Sequence, residues 1–305
     1  MFALKLLSLL FVNSAVRSNP LPRHLNLDKR ATEFSPGLLA ALQPFSLFAA
    51  AAYCVPSSVQ TWDCGDFCAR LPGFEPTLVG GDGNAVQFFF VGYWPQENAV
   101  VVAHQGTDPT ALKSILTDLF LPKGPLSSTL FPGVPTSVSV HEGFRNEHAL
   151  TATKITDEVK RLITTKNPQK VITVGHSLGA ALASLDALML RLVLPASIPV
   201  SSRTFGLPRV GNTAFAQFFD FKVPDFNRVN NDHDLVPIIP GRFLGFTHPQ
   251  GEIHIQNNGS AVSCSGNDNA TDPQCTIKAV PDVQDGNIID HLGPYNGVFM
   301  GNSFC

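Results

Sequence analysis

The sequence predicts an α/β fold, with a central, mostly parallel sheet flanked by helices. Three observations predict it. Short apolar, β-branched runs at 85–91, 98–103, 171–174, 202–205 and 226–230 read as strands. Helical patterns separate several of them, as over 142–165, where Ile155, Val159, Leu162 and Ile163 recur at helical spacing among Lys154, Asp157, Glu158, Lys160 and Arg161. The run at 171–174 then passes through Gly175-His176-Ser177-Leu178-Gly179 into a stretch rich in alanine and leucine, so strand, sharp turn and helix meet at one serine.

In chain order, the first segment reads as targeting sequence. Lys5 precedes an apolar run from Leu6 to Val12 that is too short to cross a bilayer and ends near the small residues Ala15 and Ser18. Residues 1–18 are therefore expected to be a secretory signal peptide, and 19–30 a propeptide closing on the dibasic pair Lys29-Arg30. Residues 31–305 show no break in composition and are expected to form one domain. The strand at 98–103 runs into His104-Gln105-Gly106-Thr107-Asp108-Pro109, where Gly106 lets the chain turn. Beyond it, Leu112, Ile115, Leu116 and Leu119 fall at i, i+3, i+4, i+7 beside polar residues such as Asp118. A helix this short is marginal in water unless docked, so it is expected to be a lid, covering a cleft when closed and turning its stripe to a lipid surface when open. A fixed surface helix is the alternative. Asn167-Pro168 stops the helix at 142–165, and the helix after Ser177, apolar nearly all round, is expected to be buried against the sheet.

Composition narrows the ligand. The 305 residues are 44% apolar and 15% charged with a formal net charge of −3, and without a basic cluster nucleic acid is not an expected partner. A neutral or apolar ligand fits better. The six cysteines suit an oxidising compartment: Cys64 with Cys68 and Cys264 with Cys275 make short loops, which leaves Cys54 for Cys305. Asn258-Gly259-Ser260 and Asn269-Ala270-Thr271 are glycosylation acceptors, which places their loop at the surface. No His-Glu-x-x-His motif is present and Asp268 and Asp272 are too sparse for a calcium cage, so neither metal nor cofactor is expected. No stretch after the first is long enough to span a membrane.

A serine hydroxyl is a poor nucleophile at neutral pH. Acyl transfer from Ser177 needs a histidine within hydrogen-bond reach, a carboxylate to orient it and donors for the oxyanion. In this strand-turn-helix setting the order along the chain is serine, acid, histidine. Of the nine histidines, His233, His248, His254 and His291 follow Ser177. His233 reads as a surface loop residue and His248 and His254 lie in a hairpin-like stretch, leaving His291, in a turn-rich segment near Cys305, as the expected base. Asp234 is favoured over Asp232 as the acid because it immediately precedes Leu235-Val236-Pro237, where its carboxylate can be buried. The N–H of Leu178, directly after the nucleophile, and Thr107 are the expected oxyanion donors. An ordinary turn is the alternative for Gly106-Thr107-Asp108-Pro109.

These residues resemble the fungal class 3 lipase family. The likeness spans about Ala49 to Cys305, through Ala51-Ala52-Tyr53-Cys54, Gly106-Thr107, Val140-His141-Glu142-Gly143-Phe144, the Ser177 turn, Thr204-Phe205-Gly206-Leu207-Pro208-Arg209-Val210-Gly211-Asn212, Asp234-Leu235-Val236-Pro237 and the His291 segment. It implies an α/β-hydrolase-like fold, a Ser177-Asp234-His291 triad, Thr107 and Leu178 at the oxyanion, and Asp118 orienting the Thr107 side chain. His104-Gln105-Gly106-Thr107 and Gly241-Arg242-Phe243-Leu244-Gly245-Phe246 look closer to the basidiomycete branch with Malassezia-type mono- and diacylglycerol lipases. His141 and Arg209 are expected to support structure. The expected substrate is an acylglycerol at a lipid–water interface, and the expected state a monomer. A feruloyl or short-chain esterase on the same fold is one alternative, and a non-catalytic lipid-binding protein another.

Overall fold

Eleven strands are spread along the described chain: β1 (Thr32–Phe34), β2 (Glu75–Gly80), β3 (Phe89–Trp94), β4 (Ala99–His104), β5 (Lys123–Pro125), β6 (Ser139–His141), β7 (Lys170–His176), β8 (Val200–Phe205), β9 (Phe226–Asn231), β10 (Glu252–Ile255) and β11 (Ala261–Cys264). The computed structural model describes residues 30–108, 122–301 and 304–305. The segment 1–29 and the lid residues Leu112, Ile115, Leu116, Asp118 and Leu119 lie outside the described residues.

Nine strands make one sheet in the order β1-β11-β10-β9-β8-β7-β4-β3-β2, and β5 pairs β6 apart from it. The centre from β4 through β7, β8 and β9 to β10 is parallel, while β3 with β2 and β11 with β1 close the two edges antiparallel. Parallel strands need both faces covered, and the side chains sort accordingly. Ala99, Val101, Ala103, Ile172 and Val174 face a core with Phe48, Phe74 and Phe90, whereas Val100, Val102 and Val171 face a second core under the long helices. Short N-terminal helices at Pro36–Ala40 and Gln43–Ala51 lie on the first side. Helices Glu142–Lys166, Leu178–Val193 and Thr213–Lys222 cover the second. Asn167, left-handed at φ 50°, ends the long helix where Pro168 forbids another turn.

Two readings shift. The strand expected at 85–91 begins only at Phe89 and continues to Trp94, because side chains take the earlier backbone donors. Asp82 Oδ1 accepts from Val86, Glu147 Oε1 from Gln87 and Gln105 Oε1 from Phe88. The hairpin sensed around Phe246 to His254 lies further on, between β10 and β11, with Asn258 exposed at its tip. The patterning missed β1, β5, β6, β10 and β11, whose 3 or 4 residues are too few to show a period, and the edge strand β2, where Pro76 and a register shift break the alternation.

Disulfides join Cys54 to Cys305, Cys64 to Cys68 and Cys264 to Cys275. The first ties the C-terminus to the N-terminal helical layer across a sequence separation of 251, a loop whose closure could contribute roughly 5 kcal/mol on the chain-entropy model.

Candidate active site

The site grows from the carboxyl ends of neighbouring parallel strands. Between β7 and the helix Leu178–Val193, Ser177 adopts φ 59° and ψ −129°, a left-handed region that non-glycine residues avoid. Glycines make the turn possible. A Cβ on Gly175 would collide with the Gly179 carbonyl, and one on Gly179 would lie 2.6 Å from the Gln105 carbonyl. The helix that follows is buried from Gly179 through Leu190, which fixes the direction of its first residues. Leu178 is its first residue, so its N–H belongs to the unpaired group at a helix start.

Asp234 lies just past the end of β9, beyond the left-handed Asp232, and is fully buried. Three donors converge on it: His291 Nδ1 and the Tyr295 hydroxyl each reach Oδ2 at 2.9 Å, and the Val236 N–H reaches Oδ1 at 2.8 Å. With Nδ1 donating, Nε2 of His291 carries the lone pair. That nitrogen is buried and has no hydrogen-bond partner. Burial first, then the neighbouring Asp234 charge, pushes the Tyr295 hydroxyl well above the usual tyrosine range, so it remains a donor. Gly206, at φ 55°, leaves the space beside this ring, since a Cβ there would lie 2.7 Å from both His291 Cε1 and the Tyr295 hydroxyl.

His176 links Ser177's turn to the histidine. Its Nε2 lies 2.7 Å from the His291 carbonyl oxygen, which can only accept, so Nε2 donates and Nδ1 accepts from the Tyr53 hydroxyl at 2.6 Å. The Tyr53 oxygen in turn accepts the Gly106 N–H. Burial, and secondarily the charge of His291, holds the His176 pKa well below 6.5, so the ring, tilted 33° to His291 with centroids 4.4 Å apart, is neutral. One hydrogen-bonded chain therefore runs from the Gly106 loop through Tyr53 and His176 to the backbone of His291.

The loop after β4 packs on the same turn. A Cβ on Gly106 would lie 2.9 Å from Ser177 Cβ, and the Thr107 hydroxyl beside it is buried without a hydrogen-bond partner. An unpaired buried hydroxyl costs about 1–3 kcal/mol, and such groups mark places where a ligand completes the bonding. Behind this loop, His104 at the end of β4 donates through Nε2 to Asp186 Oδ2 at 2.6 Å, and His148 reaches the other oxygen at 2.9 Å. All three are buried. Burial alone would raise the Asp186 pKa, but the hydrogen bonds from His104 and His148 outweigh it and hold it at about 2.

The remaining singled-out residues are structural in their contacts. His233 is exposed and bonded to Asp232 Oδ1 at 2.7 Å. With Asp290 these two form a surface cluster whose ligand atoms lie within 4.8 Å, as exposed acidic turns commonly do. His248 Nε2 meets the Pro237 carbonyl, and His254 on β10 is held between the Asp232 and Gln274 carbonyls. His141 caps the long helix, and the buried Arg209 pairs with Asp268 at 3.0 Å. Asn269, placed at the surface by its sequon, is instead buried, its side-chain oxygen capping Thr271 and Asp272. Sequence reasoning missed Tyr295, Tyr53, His176 and Asp186. Tyr295 had a signal in its spacing from His291 in one turn-rich segment, and Tyr53 and His176 stood inside motifs that named no partner for them. Replacing Tyr295 with phenylalanine removes a donor to a buried carboxylate, and the expected cost is about 1–2 kcal/mol of stability with a roughly tenfold loss in kcat/KM, read from urea titration and initial rates.

Sequence and fold match known proteins. The family model for lipase (class 3) matches residues 101–244. A secreted mono- and diacylglycerol lipase of Malassezia globosa is 32% identical over 248 residues, covering 80% of this chain and 77% of that one. Another from the same organism is 36% identical over 191 residues, and the chain spans 62% of its length. A lipase from Rhizopus microsporus var. chinensis superimposes with a TM-score of 0.75 at 25% identity, covering 89% of this chain and 91% of the other. Lipase II from Rhizopus niveus, at 24% identity and a TM-score of 0.78, shares the fold. The relatedness over most of the chain and the serine turn set beside a buried histidine–carboxylate pair lead to one conclusion: the chain belongs to the class 3 lipase family.

Proposed function

We propose that this chain is a secreted lipase that hydrolyses the carboxylic esters of acylglycerols at a lipid–water interface through an acyl-enzyme on Ser177. The observation that carries the reading is the buried His291 imidazole, committed to Asp234 through Nδ1 and left with a free lone pair on Nε2. In this reading Ser177 Oγ attacks the ester carbonyl while its proton passes to His291 Nε2. The tetrahedral oxyanion is held by the Leu178 N–H and by the N–H and hydroxyl of Thr107. Collapse expels the alcohol, which takes the proton from His291. A water then gives its proton to the same nitrogen and attacks the acyl carbonyl, releasing the carboxylic acid and Ser177. His176, being neutral, adds no like charge beside the imidazolium.

The substrate class rests on two supports. The relatives are named secreted mono- and diacylglycerol lipases. In the chain that follows Asp234, Ile238, Ile239, Phe243 and Leu244 line, with Ile277 and Val280, a cavity of about 490 Å³ whose wall also includes Arg209, Arg242 and Asp282 and none of the triad; its apolar side suits an acyl chain. Secretion follows the signal-peptide reading of residues 1–18, and among the described residues no helix is long and apolar enough to cross a membrane. Glycosylation is assigned to the exposed Asn258 in preference to the buried Asn269.

A pH-stat comparison of emulsified tri-, di- and monoacylglycerol with methyl ferulate tests the reading. Acylglycerols are expected to react faster, with the rate rising once substrate passes its aggregation threshold. Faster turnover of methyl ferulate, at rates indifferent to aggregation, would replace the lipase by an esterase for soluble substrates.

A further inference from the structure

The bond between Arg30 and Ala31 lies where the dibasic pair meets the first residues packed on the sheet. Arg30 is exposed, whereas Ala31 packs against Val262, Cys264 and Cys275, and Thr32 opens β1 opposite Ser263. The Ala31 backbone nitrogen donates to Asp272 Oδ2 at 2.7 Å. That carboxylate is held from its other side: Oδ1 accepts the Gln274 N–H at 2.9 Å, and the Asp272 N–H donates to the Asn269 side chain at 3.2 Å. The Cys264–Cys275 disulfide closes the loop that carries it. A fixed carboxylate aimed at a backbone nitrogen next to a processing motif is better matched to an ammonium, with three donors and a charge, than to a neutral amide.

We propose that hydrolysis of the Arg30–Ala31 bond by a dibasic-specific endoprotease turns this contact into an ion pair between the new α-ammonium of Ala31 and Asp272, pinning β1 to the edge of the sheet. The proposal rests on the secretory route given above and is independent of lipase activity. One water adds across the amide: the C–N bond breaks, Arg30 keeps the new carboxylate, and the Ala31 amine takes up a proton below its pKa of roughly 8. β1 is an edge strand of 3 residues, so a charge anchored at its start acts on the element least able to hold itself. Around the ammonium, β11 brings Ala261, Val262, Ser263 and the disulfide-bonded Cys264, none of which ionises, while Glu252, within 4.8 Å of the Cys264 and Cys275 sulfurs, is already paired with Arg228 at 2.8 Å. On the neighbouring loop Asp268 is taken by Arg209, and on β1 itself Glu33 is exposed.

The test expresses the full chain in a secreting host that has such a protease, as the parent, Arg30→Ala, Asp272→Asn and the combined variant. N-terminal sequencing is expected to find Ala31 first in the secreted parent. At pH 7 the parent is expected to melt roughly 2 °C above the uncleaved Arg30→Ala protein, and Asp272→Asn to erase that gap. The carboxylate raises the ammonium's pKa in the folded state, so the gap is full at neutral pH, where Asp272 is ionised, and closes as pH rises through the amine's folded value. A secreted protein that begins elsewhere overturns the site. An equal effect of Asp272→Asn on cleaved and uncleaved forms overturns the ion pair and leaves an ordinary hydrogen bond. Absence of protein from the medium counts against the secretory route itself, and with it against cleavage at this bond.

Discussion

Replacing Ser177 with alanine is expected to lower kcat by about a million-fold while the protein stays folded. The magnitude follows from the way nucleophile and base act as one unit, so that losing either costs nearly as much as losing both. His291→Ala should therefore show a similar loss, and the double variant should lose no more. The fold survives because Gly175, Gly179 and the buried helix behind the turn hold the backbone, and alanine keeps the Cβ that Gly106 packs against. Initial rates on a soluble p-nitrophenyl ester and on emulsified triacylglycerol, with circular dichroism as control, check this. A Ser177→Ala protein that kept a sizeable fraction of the parent rate would place the nucleophile elsewhere.

Replacing Asp186 with asparagine should cost about 3–5 kcal/mol of stability, the range for breaking a buried ionic cluster by removing one partner. His104 and His148 would be left in a dry interior facing an amide in place of a carboxylate. The cluster joins β4, the long helix and the helix after Ser177, so its loss loosens the root of the loop that carries Thr107. Its pH dependence has a definite sign. The folded pKa of about 2 lies below the ordinary 3.8, so Asp186 contributes stability that is fully present above about pH 4 and disappears as pH falls through the folded value. Between those limits the parent should lose about 2 kcal/mol that the variant, lacking the carboxylate, does not. Urea titrations of both proteins across that range read the difference. Equal acid sensitivity, or a loss at neutral pH below about 1 kcal/mol, would refute the role given to Asp186.

The legible part of this protein was the part written in neighbouring residues. Gly175-His176-Ser177-Leu178-Gly179 after a β-branched run is a local signal, and the structure forms the strand, turn and helix there. The central strands near 98–103, 171–174, 202–205 and 226–230 and the helix at 142–165 are found within a few residues of their expected limits, because each buries enough apolar residues to show a period. Asp234 and His291 came from chain order and from the apolar residues after Asp234; their hydrogen bond depends on backbone placement that no local pattern encodes. Tyr53, His176 and Asp186 were illegible for a further reason. A buried polar residue looks in sequence like any surface polar residue, and its partners at His104, His148 and Gly106 come from distant elements. The short strands β1, β10 and β11 were missed because pairing, not periodicity, creates them.

The sheet's register ties the assembly of this site to a single folding event. His104 pairs with Gly175, His176 with Phe205, and Phe205 with Val229, so the strand ends that lead into Thr107, Ser177 and Asp234 are lined up rung against rung. Slippage of any of these strands by one residue would shift its end by about 3.3 Å and swap its inward and outward side chains. No half-aligned intermediate can then carry partial activity. Enzyme activity regained on refolding should appear together with the fully zipped ladder, making turnover itself an all-or-none reporter of correct strand alignment.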